Sequence, residues 1–77
     1  MKISSKHRLE LGELSEIYFK LLKEEDYDFK TKKIKINIEK DKTSIIADIT
    51  ANSILDLKIA DSAFIRSLEV IEKTLSI

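Results

Sequence analysis

The sequence predicts an α+β two-layer sandwich: a three-stranded antiparallel sheet covered on one face by two helices, in the order β-α-β-β-α. Two runs carry apolar residues at helical spacing, one over residues 13–24 and a longer one from about residue 54. Two more, 33–39 and 43–51, alternate apolar with polar as half-buried strands do. Only Lys40-Asp41-Lys42 separates these two strands, so they form an antiparallel hairpin.

Residues 2–11 open the chain as a strand with Ile3, Ser5, His7, Leu9 and Leu11 on one side. Helix one follows over 13–24, where Leu14, Ile17, Tyr18, Leu21 and Leu22 mark its apolar face and Glu13 and Glu16 suit the positive end of its dipole. The acidic run Glu25-Asp26-Tyr27-Asp28 reads as a connection. Ile34, Ile36 and Ile38 then alternate with Lys33, Lys35, Asn37 and Glu39, and Ile45, Ala47 and Ile49 form one side of the next strand. Asn52 or Ser53 is the N-cap of the last helix. With no proline and the single glycine at Gly12, periodicity must set these boundaries.

The last helix has more apolar surface than one face needs. On a wheel of about 3.6 residues per turn, Leu57, Ala60, Phe64, Leu68, Ile71 and Leu75 form a core stripe. Ile59, Ala63, Val70 and Ile77 form a second. Asp56, Ser67 and Thr74 lie between, and Lys58, Asp61, Glu69, Glu72 and Lys73 take the wet side. The second stripe points to a partner, read through anchors at i, i+4 and i+7 spacing.

Length and composition agree. Residues 1–77 make one domain of a size that is marginal alone and gains from association. Charged residues are 36% of the chain and cancel to zero net charge, so no global basic field attracts nucleic acid or membrane. The absence of cysteine excludes disulfides and thiolate ligands and fits a reducing cytoplasm. The N-terminus has no continuous apolar run of the kind a signal peptide or spanning helix needs.

The frame of Ile17-Tyr18 and Leu21-Leu22 in helix one, a lysine-bounded strand pair, and the junction from Ala51-Asn52-Ser53 to Ile65-Arg66 resembles the Pcc family, the small dimerising subunits of the KEOPS tRNA-modifying complex. Leu57-Lys58-Ile59-Ala60 stands where that family has Leu-Arg-Ala-Ala, Asp61-Ser62 where it has Asn-Ser, and Ile65-Arg66-Ser67 where it has a segment ending in an aromatic residue. Lys58 lacks the planar fork of arginine, Asp61 brings a charge in place of an amide, and Ser67 removes the aromatic. A Pro-Glu turn usual after helix one is replaced by Lys23-Glu24. Such drift fits a diverged paralogue that pairs with the standard subunit, and equally an ordinary homodimeric subunit of a divergent lineage.

The resemblance implies a non-catalytic architectural role. In that complex a separate transferase subunit forms threonylcarbamoyladenosine in tRNA, while the Pcc-type dimer docks on helices of the transferase and helps present tRNA. Helices one and two supply the docking surface and strand edges join the protomers. Docking then falls to Leu55, Ile59, Ser62, Ala63, Arg66 and Val70. The partners implied are the transferase, a second copy or a related Pcc-type subunit, and tRNA through the complex, without membrane or cofactor.

No catalytic or metal-binding constellation emerges from the residues. His7 is the only histidine and reads as a surface residue on an edge strand, which leaves no His-Cys metal site or cysteine nucleophile. Glu24, Glu25, Asp26 and Asp28 lack the order of a calcium loop, and one glycine makes no phosphate loop. Ser62 and Ser67 have no base at triad spacing. Positive charge gathers around the hairpin at Lys30, Lys32, Lys33, Lys35, Lys40 and Lys42. Lys32, Lys33 and Lys35, with Lys58 and Arg66, are therefore candidates for salt-sensitive contact with an RNA backbone. A stand-alone RNA-binding module and an unrelated dimerisation domain are the two competing classes.

Overall fold

The computed structural model describes residues 2–24 and 33–75. Strand β1 (Ile3–Glu10) leads through a short 3-10 turn (Gly12–Leu14) into helix α1 (Ser15–Glu24), followed by strands β2 (Lys35–Lys40) and β3 (Ser44–Ala51) and helix α2 (Ile54–Leu75). The sheet is antiparallel in the order β1-β3-β2, so the most apolar strand is central and both helices cover one face. This is the predicted α+β order. The Glu25–Asp28 connection, Lys30, Lys32 and Ile77 fall outside the described residues.

Register explains the core. Directly opposed residues share a face, which sets Ile36, Ile49 and Ser5 in one row under the helices and Ile38, Ala47 and His7 in the next. Ile45, Ala47, Ile49 and Ala51 have no exposed surface, and they share one close-packed core cluster with the larger Phe64 and Leu22, also fully buried. The opposite face is open and polar. There Lys6, Asp48 and Asn37 form one row, and Arg8, Ile46 and Glu39 the next.

Local chemistry fixes the turns. Gly12 adopts φ +58°, a left-handed conformation that a side chain would strain. Its N–H and that of Leu11 both donate to the Thr43 carbonyl, at 2.9 and 3.0 Å, which ties the exit of β1 to the hairpin. The hairpin turns at Asp41, whose Oδ1 accepts from Thr43 N–H, Ser44 N–H and Ser44 Oγ–H at 2.8 to 3.0 Å. These bonds, the largest from the Ser44 side chain, hold its carboxyl below the usual carboxylate range. Ser53 is the N-cap of α2, its Oγ accepting from Asp56 N–H at 3.1 Å.

Several expectations need correction. Helix α1 begins at Ser15 rather than Glu13, because the 3-10 turn after Gly12 takes up the preceding residues. It buries Ser15, Tyr18 and Leu22, while Leu14 and Ile17, which spacing grouped with them on one apolar face, are exposed. Ten residues give α1 fewer than three turns, enough for a narrow buried stripe only. In α2, Ser67 is buried with its Oγ donating to the Ala63 carbonyl, and Leu75 is 37% exposed near the end of the described chain.

Candidate partner-docking site

Helix α2 settles on the sheet through Ala60, Phe64, Ser67 and Ile71, all buried, with Leu57 and Leu68 packed at the margin. Its orientation about its own axis is fixed from the β1 side as well. Asp61, expected on the wet side, is half-buried there: its Oδ1 accepts from Ser5 Oγ–H at 2.7 Å and lies 3.0 Å from His7 Nε2. The reason is the sequence of β1, whose inward positions at this point are the polar Ser5 and His7 rather than aliphatics. Burial alone pushes the Asp61 carboxyl up, but the hydrogen bonds from His7 and Ser5 and the attraction of His7 outweigh it and leave it below its ordinary value. His7 is thus no free surface group. Its ring lies 5.3 Å from that of Phe64, centroid to centroid, and joins the core to the clasp.

With that side held, the second apolar stripe turns outward. Leu55 is 69% exposed, Ile59 50% and Val70 53%, while Ser62 and Arg66 are exposed and Ala63 is half-buried. Lys58, Ile59, Ser62, Ala63 and Arg66 line a shallow depression of about 370 Å³. Four of the six expected docking residues therefore meet in one place, with Leu55 one turn from Ile59. Val70 instead flanks a second groove, of about 310 Å³, with Leu21 and Glu24 of α1. Ile54 and Ile65 of α2, Ile17 of α1 and Leu14 of the 3-10 turn are further exposed apolar residues that periodicity did not assign to this surface. In α2 the core stripe falls where the wheel set it, through Ala60, Phe64 and Ile71 with Leu57 and Leu68 at the margin, whereas in α1 the wheel gave spacing and the sheet decided which part of the apolar arc is buried.

The positions considered for RNA are not brought together. Lys58 and Arg66 rim the depression on α2, whereas Lys35 lies on the open sheet face of the other layer. On that face Asp48, Glu39 and Glu10 interrupt Lys6, Arg8 and Lys35, so the positive charge of the hairpin is dispersed among carboxylates. Lys33 is exposed, just ahead of β2, and Lys32 is outside the described residues.

A small two-layer α+β domain with an apolar depression on its long helix is the class of molecule these observations define. Residues 6–76 match the family model described as Transcription factor Pcc1, and the chain belongs to that family. No curated protein matches the chain, and no solved structure matches it. Membership supports, in general terms, a subunit role of the KEOPS type in tRNA processing. Among the described residues no helix is long and apolar enough to cross a membrane, and no group of three or more His, Cys, Asp or Glu side chains could hold a metal ion.

Proposed function

We propose that this chain is a non-catalytic architectural subunit of a KEOPS-type complex. It docks on helices of the transferase subunit through the outer face of α2, pairs with itself or a sister subunit, and so supports threonylcarbamoyladenosine formation in tRNA. The observation that carries the reading is the outward stripe of Leu55, Ile59 and Val70 on a helix whose other stripe is already buried. Exposed aliphatics around a depression gain free energy when a partner helix removes them from water, at roughly 25 cal/mol per Å². Zero net charge and an open face with interleaved signs favour this over a nucleic-acid-binding module, whose footprint is a basic stripe.

Co-expression with the transferase subunit tests it. The wild-type chain is expected to co-purify, and Ile59→Glu to abolish co-purification with its circular dichroism unchanged, since Ile59 is half-exposed on a surface helix. Ala63→Arg is a less clean probe because Ala63 is half-buried. Full retention of the transferase by Ile59→Glu would remove α2 as the docking face.

A further inference from the structure

Lys58 and Asp61 are three residues apart on α2, a spacing at which opposite charges can meet. They do not, because the Asp61 carboxylate is turned toward β1 and taken up by Ser5 and His7. Lys58 is left exposed on the outer face with no ion-pair or hydrogen-bond partner among the described residues. Arg66 likewise has none there, although Glu69 follows it by three residues.

Both cations line the depression, together with Ile59, Ser62 and Ala63 and with no carboxylate. Lys58, Ser62 and Arg66 recur at intervals of four, as do Leu55, Ile59 and Ala63, so they form two neighbouring ridges of the helix surface. Ser62 and Ala63 are the smallest side chains in these ridges, which dip there and let a second backbone approach closely. A cation stands on each side of the dip. At a rise of 1.5 Å per residue the two are roughly 12 Å apart along the axis. A helix seated in the dip covers the aliphatic side chains and takes water away from both cations, and a desolvated charge without a counter-charge is costly. The aliphatic floor therefore calls for an apolar residue, and the rims call for anions.

We propose that the depression receives an amphipathic partner helix that carries two carboxylates about two turns apart, one for Lys58 and one for Arg66. Between them a small or aliphatic residue of the partner seats over Ser62 and Ala63. Arg66 takes its carboxylate through the planar fork of the guanidinium, and Lys58 takes the other as a point charge. An RNA backbone would meet the same two cations, but it leaves the exposed Leu55 and Ile59 with nothing apolar to pack against. The inference deepens the docking part of the proposed function and rests on that reading: it assigns the chemistry of the partner helix and makes Lys58 and Arg66 the residues that select it.

The test is isothermal titration of the full chain with the transferase subunit at low and high salt. Lys58→Glu and Arg66→Glu are each expected to weaken binding about tenfold at low salt, and the double variant about a hundredfold, because sites this far apart act independently. Lys58→Met and Arg66→Met, which remove the charge and keep much of the stem, lose less and flatten the salt dependence. Both side chains are exposed, so circular dichroism is expected to stay unchanged throughout. Carbodiimide, which joins an amine to a carboxylate in contact with it, is expected to couple Lys58 to an Asp or Glu of a transferase helix. Changing that residue to Lys should restore binding to Lys58→Glu. Wild-type affinity in the double Glu variant would overturn the proposal and leave the docking role standing. A double variant that keeps the transferase and loses tRNA would also overturn it, and would assign the two cations to an RNA backbone. A wild type that captures no transferase removes the docking role and this inference with it.

Discussion

Asp61 carries two roles that only the folded chain reveals: it binds the edge strand β1 to α2 and it sets which side of α2 remains outside. Replacing it with alanine leaves Ser5 and His7 without this acceptor. The expected loss is about 1 kcal/mol, because the carboxylate is partly hydrated, which is roughly 4–8 °C in melting temperature for a domain of this size. The pH dependence has a definite sign. A carboxyl held below its ordinary value of 3.8 contributes stability that is present above that value and fades as the pH falls through the lowered one. Urea midpoints of wild type and Asp61→Ala should therefore differ at pH 7 and converge below pH 3.8. A gap that persists into acid would mean that Asp61 acts through packing instead of charge.

Cap chemistry at Ser53 shows how much of each element was legible beforehand. A small polar cluster between a β-branched run and a helical one narrowed the cap to two residues, and the structure selects Ser53 through its bond to Asp56 N–H. Ser53→Ala should cost about 1 kcal/mol, read as a lower urea midpoint with an unchanged slope, whereas Asn52→Ala should be nearly silent. Strand periodicity served equally well: Ile36 and Ile38, then Ile45, Ala47 and Ile49, face the helices as their alternation required. What could not be read was information held between elements. Nothing local says that Ser5 and His7 lie under α2, so Asp61 looked like a solvated charge. Leu14 and Ile17 likewise shared one apolar face with Tyr18 and Leu22 by spacing, and only the fold shows that they stay exposed. Of the docking surface, the second stripe was visible as surplus on the wheel, but its division between two grooves was set by where α1 lies beside α2.

For the whole molecule, Phe64 is the largest side chain fully buried between the two layers. A 77-residue domain has a total stability of roughly 4–12 kcal/mol, so a single core truncation can consume a large share of it. Phe64 is fully buried in the core cluster that holds Ala47, Ala51 and Ala60, and its ring lies against that of His7 on β1. Truncation to alanine removes its transfer free energy and leaves a cavity that small neighbours such as Ala47 and Ala60 cannot collapse to fill, a loss of about 3–5 kcal/mol. Phe64→Ala should therefore populate the unfolded state measurably at 37 °C by circular dichroism. Phe64→Leu keeps most of the volume, loses the ring contact and should cost less than half as much. The outer face of the same helix gives the contrast. Ile59→Glu exposes a charge where water already reaches and is expected to leave the melting temperature within about 2 °C of wild type. If Phe64→Ala melted no lower than Ile59→Glu, the two stripes of α2 would not differ in kind, and the outer one would have no surplus to offer a partner.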